Sequence, residues 1–378
     1  MRFPTLLLLC TCPLLAVADP AFDSQVRSAA ERVMRDNGVA GLAIAISDHG
    51  KQYFYEFGVA DKATGQAVSR DTLFELGSIS KTFTATLAAR AQIDKRLSLH
   101  ASAAEYLPEL AGTAFGRLSL INLATHSNGG MPLQLPEGIS NQAQLFDWLR
   151  HWQPVHAADG WRAYANPGIG MLGVITARQL GTSFVSAMQE QLLPELGLEH
   201  TYLQVPASQQ ALYARGYDKN DAPVRVNPGV LADEAYGVKS SSRDMLRYVE
   251  AHLGRVQLAA PLKQALDDTR RGYYKRGAMT QDLIWEHYDY PLTLQTLLDG
   301  NDNRYALAGS PVNAINPPLA PQSKAWVNKT GATNGFGAYV AFEPEQQRAV
   351  VLLANRNYPN GERVKLAWRL FELLDEQR

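Results

Sequence analysis

Phe336-Gly-Ala-Tyr-Val-Ala-Phe342 and Arg348-Ala-Val-Val-Leu-Leu-Ala354, preceded by Lys324-Ala-Trp-Val-Asn328, are short runs rich in β-branched and aromatic residues. Short turns separate them, which is the pattern of an antiparallel meander. Two more strand-like runs lie near the other end of the chain, Gly41-Leu-Ala-Ile-Ala-Ile-Ser47 and Lys51-Gln-Tyr-Phe-Tyr-Glu-Phe57, with Asp48-His49-Gly50 between them as a hairpin turn. Helical spacing flanks this material. Val26, Ala29, Ala30, Val33 and Met34 share one face of a run that stops at Asn37-Gly38, and a last amphipathic run covers Val364 to Leu374. Residues 96–284 read instead as helix and loop, punctuated by Pro and Gly. Strands from both chain ends with helices between them predict an α/β fold class of the α+β type. An antiparallel sheet is flanked by N- and C-terminal helices and carries an inserted, mostly helical lobe. The expected lobes are 19–95 with 285–378, and 96–284, with the site in the cleft between them. Two stretches look irregular: 202–235, and 298–322 with its four prolines.

The chain has 378 residues, 46% hydrophobic and 19% charged, enough for a large core. Its 36 basic and 37 acidic residues give a net charge of -1, so electrostatics offer no case for nucleic acid or an anionic membrane. Arg2, the apolar stretch Leu6 to Leu15 and Ala16-Val17-Ala18 follow one another in the order of a secretory signal, so residues 1–18 are expected to be removed. The alternative for this stretch is a buried N-terminal helix. Cys10 and Cys12 are the only cysteines and fall inside it. The mature chain, 19–378, is then a single exported catalytic unit without disulfides, and no second stretch is apolar and long enough to cross a membrane.

Ser-x-x-Lys occurs at Ser78-Ile79-Ser80-Lys81, ahead of a helix-favouring run to Ala91. At i and i+3 the two side chains share a helical face, and free N–H groups at a helix start favour developing negative charge. A serine becomes a nucleophile when a neighbouring base takes its proton. By itself the tetrapeptide also fits a helix cap followed by a solvated lysine. Lys329-Thr330-Gly331 ends a strand-like run, where the Ala332 N–H can join that of Ser78 as an oxyanion donor, each such donor being worth about 3 to 4 kcal/mol. Lys329 and Thr330 suit a carboxylate, and a plain turn is the alternative. Tyr-x-Asn occurs at Tyr164-Ala165-Asn166 and again at Tyr358-Pro359-Asn360. Only the first lies between the other two motifs. Two nearby lysines would favour the phenolate of Tyr164 and make it a base. Asn166 suits a substrate amide or Lys81.

These motifs, in this order, resemble those of the class C β-lactamases, the cephalosporinases of the serine β-lactamase and penicillin-binding protein superfamily. Further similar stretches are Phe74-Glu-Leu-Gly-Ser-Ile-Ser-Lys81, Gly130-Met-Pro-Leu-Gln134, Glu234-Ala-Tyr-Gly-Val-Lys-Ser240, Asn328-Lys-Thr-Gly331 through Gly335-Phe-Gly337, and Ala354-Asn-Arg-Asn-Tyr-Pro-Asn360. The resemblance implies a serine β-lactamase/DD-peptidase-like fold with Ser78 as the acylated nucleophile. Lys81 and Tyr164 would form its base system, with Lys329 also catalytic. Gln134 and Asn166 would contact the acyl side chain and Tyr236 would form a wall. Lys329, Thr330, Asn357 and Asn360 would line the carboxylate end, with Arg363 close behind. It also implies hydrolysis of β-lactams, cephalosporins preferred, by a monomer in the periplasm of a Gram-negative bacterium, conferring resistance and needing no cofactor. Thr125-His126-Ser127-Asn128 departs from the family pattern beside the Gln134 loop.

None of the eight histidines forms a His-x-His or His-Glu-x-x-His spacing, which argues against a zinc enzyme. His151 and His156 read as surface or loop residues. No Ser-Asp-Asn motif occurs, nor a clear glutamate for class A deacylation, which favours Tyr164 as base. The stripe Leu366, Trp368, Leu370, Phe371 and Leu374 suits core packing better than membrane anchoring, because its helix also carries both charge signs. The rival functions are a DD-peptidase or esterase on the same scaffold, and a non-catalytic wall-binding module. The latter would be expected to lack one of Ser78, Lys81, Tyr164 or Lys329.

Overall fold

The computed structural model describes residues 19–377, so the expected leader, 1–18, lies outside the described residues. Ten strands form one sheet. In chain order they are β1 (Gly41–Asp48), β2 (Lys51–Asp61), β3 (Gln66–Ala67), β4 (Gly272–Arg276), β5 (Met279–Gln281), β6 (Glu286–Asp289), β7 (Asn313–Leu319), β8 (Ala325–Ala332), β9 (Gly337–Glu343) and β10 (Arg348–Ala354). Their spatial order is β7-β4-β5-β6-β8-β9-β10-β1-β2-β3. The meander is thus β8-β9-β10, and the first hairpin adds to it through β1, where Ile44 faces Leu352 on one side and Tyr55 on the other. The hairpin turn puts His49 and Gly50 at φ 52° and 86°.

Alternation along the strands feeds two separate cores. Leu42, Ile44, Ile46, Val350 and Leu352 meet α1 (Pro20–Asn37) and the C-terminal helix on one face. Ala43, Ala45, Val351 and Leu353 face the opposite core. A sheet covered on both faces favours apolar residues on both, which is why β10 reads as a continuous hydrophobic run from Ala349 to Ala354. Each fully buried Leu, Ile or Val there contributes about 1.5–3 kcal/mol. The helix α1 begins with Asp19 accepting the Ala21 N–H, has Pro20 in its first turn, and stops at Gly38 in the left-handed region.

The helix α2 (Ser80–Ile93) runs between the lobes. Phe83 and Leu87 pack into the sheet-side core, while Ala85, Ala88 and Ala91 pack into the helical lobe with α3 (Asn166–Leu180) and α4 (Ala232–Tyr236). The helix is buried on every side, and its threonines bond inward, Thr82 to the Ile79 carbonyl and Thr86 to the Thr82 carbonyl. The C-terminal helix, Asn360–Glu376, buries Leu366, Leu370, Phe371 and Leu374 against the sheet, so the stripe packs as core. No described helix is long and apolar enough to cross a membrane.

Within residues 96–284, β4 and β5 add to the sheet. The helices Ser242–His252 and Ala260–Asp268 also pack into the sheet-side core. The stretch 298–322 is less irregular than its prolines suggest, since Asn313–Leu319 is the edge strand β7. Pro317 and Pro318 fall in the register shift between the pairs Ala314–Tyr274 and Leu319–Gly272 at the sheet edge, where the ladder needs no N–H from either. The stretch 202–235 contains a 3-10 turn at Ala207–Leu212, a small hairpin, and α4.

Candidate active site

Ser78 lies in one 3-10 turn, Gly77–Ile79, that runs directly into α2. Lys81 Nζ donates to Ser78 Oγ at 2.9 Å and to the Ala235 carbonyl at 2.8 Å. No side chain caps this helix end, so Ser78 is not the helix cap its tetrapeptide allowed. Lys81 is fully buried, not solvated.

Lys329-Thr330-Gly331 is likewise not a turn. All three residues sit inside β8, opposite Val340, Tyr339 and Ala338. Two glycines let this strand meet the Ser78 turn backbone to backbone. A Cβ on Gly331 would lie 2.0 Å from the Leu76 carbonyl, and one on Gly77 (φ +52°) would lie 2.4 Å from the Ala332 nitrogen. No side chain fits at either position. The contact brings the Ala332 amide against the turn that carries Ser78.

Tyr164 precedes α3 and is buried. Lys81 Nζ and Lys329 Nζ each stand 5.3 Å from its ring centroid, and the Arg162 guanidinium stands 5.6 Å away. Burial pushes the phenol up, but Lys329, Lys81 and the Ser78 hydroxyl outweigh it and bring its pKa down to about 8. Burial draws the Lys81 ammonium down to about 8 as well, with Tyr164 opposing and Lys329 reinforcing the shift. The two groups therefore titrate in the same range and as one coupled pair.

Ser78, Gln134, Tyr164, Asn166, Tyr236, Lys329, Thr330, Ala332, Asn357 and Asn360 line one cavity of about 790 Å³. Asn166 Oδ1 is buried there without a partner among the described residues, while its backbone N–H donates to the Leu133 carbonyl and so fixes the Gln134 loop. Lys81 bonds Ser78 and the Ala235 carbonyl, and not Asn166. Asn360 donates to Asn303 Oδ1 at 2.9 Å, joining the C-terminal helix to the Asn301–Asn303 rim. Tyr358 of the second Tyr-x-Asn also lines the cavity.

Arg363, expected among the substrate-binding residues, does not line the cavity. It is fully buried, donating to the Gly331 carbonyl at 2.8 Å and to Asn357 Oδ1 at 2.7 Å. It holds the lining residues from behind. Arg363→Ala should destabilise the fold by about 3 kcal/mol or more, because buried acceptors lose their donor. Urea denaturation measures this, and an unchanged midpoint would refute the positioning.

The sequence reading missed several groups around this cavity. Arg162 and Glu286 form a buried ion pair at 2.9 Å beside Tyr164, and Glu286 lines the cavity floor. Glu75 accepts from Tyr213 and Val226 through one oxygen and from Thr333 through the other. It ties the rim loops to the strand that precedes Ser78. Arg162 stands two residues before Tyr164, a usable signal; Glu286 reaches the site only by facing Asn328 across β6 and β8. His151 and His156 are exposed, as expected. Among the described residues, no group of three or more His, Cys, Asp or Glu could share a metal ion.

A family model described as Beta-lactamase matches residues 26–375. A beta-lactamase of Pseudomonas fluorescens is 45% identical over 351 residues, covering 93% of this chain and 98% of that protein. A solved structure described as a beta-lactamase/D-alanine carboxypeptidase from Pseudomonas syringae is 56% identical, with a TM-score of 0.92 over 93% of this chain and 99% of that one. A class C beta-lactamase in complex with cefoxitin is 46% identical, with a TM-score of 0.91 over 93% of this chain and 98% of that one.

Proposed function

Since this chain belongs to the beta-lactamase family and is a class C serine β-lactamase, we propose that it opens β-lactams through an acyl-enzyme on Ser78 and prefers cephalosporins. The observation that supports this reading most is the 2.9 Å contact between Lys81 Nζ and Ser78 Oγ beneath the ring of Tyr164. Ser78 Oγ attacks the lactam carbonyl as the Lys81–Tyr164 pair takes its proton. The N–H groups of Ser78 and Ala332 hold the oxyanion. Collapse breaks the carbon–nitrogen bond, and the lactam nitrogen receives its proton from the Tyr164 side of the pair. Water then attacks the ester, gives its proton to Tyr164, and Ser78 leaves with a proton regained.

Around this centre, Gln134 and Asn166 hold the acyl side chain and Tyr236 walls it. Lys329, Thr330, Asn357 and Asn360 receive the carboxylate, and Arg363 stiffens that end. The cavity continues past Thr330 to Asn301, Asn303 and Leu307. That leaves room for the ring substituent of a cephalosporin. The enzyme acts as a monomer, exported to the periplasm of a Gram-negative bacterium after loss of residues 1–18, and confers resistance. Arg2, Leu6 to Leu15 and Ala16-Val17-Ala18 support the export step. Residues 19–378 work as one unit of two lobes with the site between them.

A second reading, cleavage of D-alanyl peptides, is favoured by the description of the Pseudomonas syringae relative, which names both activities for that protein. Steady-state kinetics on a penicillin, a cephalosporin and a D-Ala-D-Ala peptide, side by side, decide between them. The expected result is fastest turnover of the cephalosporin. Slow release of both β-lactams with rapid peptide cleavage would reverse the assignment.

A further inference from the structure

His126 belongs to the stretch Thr125–Asn128 that precedes the Gln134 loop, and it is buried at φ +59°. A side chain held in the left-handed region is uncommon, although histidine is among the residues that enter it more readily. Its contacts converge on one neighbour. The Ala163 N–H donates to the His126 carbonyl at 2.8 Å, and the Ala165 N–H donates to His126 Nδ1 at 3.2 Å. These are the residues on either side of Tyr164. The imidazole itself lies against the Tyr164 ring, with centroids 4.2 Å apart and planes tilted by 34°. Tyr164 is therefore gripped through its backbone on both sides and through its ring.

We propose that His126 is a positioning residue for Tyr164, holding the phenol at the distance from Lys81, Lys329 and Ser78 at which it can exchange a proton. This proposal rests on the reading of Tyr164 as a base. Because Nδ1 accepts a hydrogen bond, a neutral ring carries its proton on Nε2, which is buried and without a partner among the described residues. Burial, Arg162, Lys81 and Lys329 all hold the imidazole well below its ordinary pKa. The ring thus adds shape and one acceptor without adding charge. The groups that set the charge around Tyr164 are Lys81 on α2, Arg162, Lys329 on β8 and Glu286 on β6. Loosening the ring moves the phenol away from the two lysines and raises its proton affinity.

Two variants divide the contacts. His126→Asn tolerates the left-handed backbone and keeps an acceptor but loses the ring. His126→Phe keeps a ring but loses the acceptor. Each should lower kcat for a cephalosporin about tenfold at neutral pH, equivalent to about 1.4 kcal/mol. KM should hold within about twofold, and the acidic limb of the kcat/KM profile should move to higher pH. In a Tyr164→Phe background the same substitutions should have no further effect. An unchanged kcat and pH limb overturns the proposal, as does an equal loss in the Tyr164→Phe background. If Tyr164→Phe alone keeps full turnover, the reading of Tyr164 fails instead, and that outcome is separately visible. Where a variant does not fold, ¹⁵N-imidazole spectra of the unaltered chain decide. The ring in contact with Tyr164 should stay neutral and protonated on Nε2 from about pH 5 to 8. A charged ring or an Nδ1–H tautomer overturns the proposal.

Discussion

Ser78→Ala is expected to lower kcat for a chromogenic cephalosporin by on the order of 10⁴- to 10⁶-fold, the range seen when a serine hydrolase loses its nucleophile. The substitution removes one oxygen and little else. Ser78 Oγ caps no helix; it accepts a hydrogen bond from Lys81. Gly77, Ile79 and Ser80 around it are buried, so the turn should keep its shape. Substrate affinity and the unfolding midpoint should therefore remain near those of the unaltered chain. A large loss of stability in place of catalysis would mean that Ser78 is structural. Undiminished turnover would remove it from the chemistry.

Lys81→Met should combine the next largest loss of activity with a gain in stability. Methionine has a similar length and suits a fully buried position, but it cannot donate to Ser78 or carry charge. Loss of the proton acceptor should cost about 10²- to 10⁴-fold in kcat. Tyr164 loses one of the two lysines that favour its phenolate, so its pKa should rise. The effect on stability follows from linkage. The pKa of Lys81 falls from 10.5 to about 8 in the folded chain. Between those values the unfolded chain binds the extra proton, so stability rises with pH across that window and the penalty is fully present below it. That penalty is about 3 kcal/mol, less about 1 for the hydrogen bond lost at the Ala235 carbonyl. Urea unfolding at pH 7 should find Lys81→Met the more stable protein. Between pH 8 and 10 the unaltered chain should gain on it. A variant less stable at pH 7 would contradict this account of the buried lysine.

The fold was legible wherever burial imposed a pattern. The stretches 42–46, 338–342 and 349–354 hold only aliphatic and aromatic residues because both faces of the sheet are covered, and each lies in a strand. Short strands gave no such signal. The strand β5 is three residues of Met, Thr and Gln, and β4 mixes tyrosines with Lys275 and Arg276. The strand β7 was hidden by prolines that only an edge position accommodates. Because β4 and β5 are so short, no pattern marked the part of the sheet that precedes residue 284.

The motif residues Ser78, Lys81, Tyr164, Lys329 and Thr330 were readable because their spacing carries chemistry. They converge in the structure, where Lys81 reaches Ser78 and the two lysines flank Tyr164. Arg162, Glu286 and His126 were not legible as a group, because nothing in sequence order links them. Glu286 reaches the site through strand register, and His126 through a backbone path beside residues 163–165. Arg363 was legible as a neighbour of the site, but burial changes what it does there.

The central claim is the covalent bond to Ser78. Acid-quenched mixing with a slowly hydrolysed cephalosporin, followed by proteolysis and tandem mass spectrometry, tests it directly. The account predicts the opened lactam attached to the peptide that carries Ser78, at Ser78 itself, appearing during turnover and vanishing as substrate is exhausted. An acyl group on any other residue would contradict it, as would turnover by Ser78→Ala at the unaltered rate.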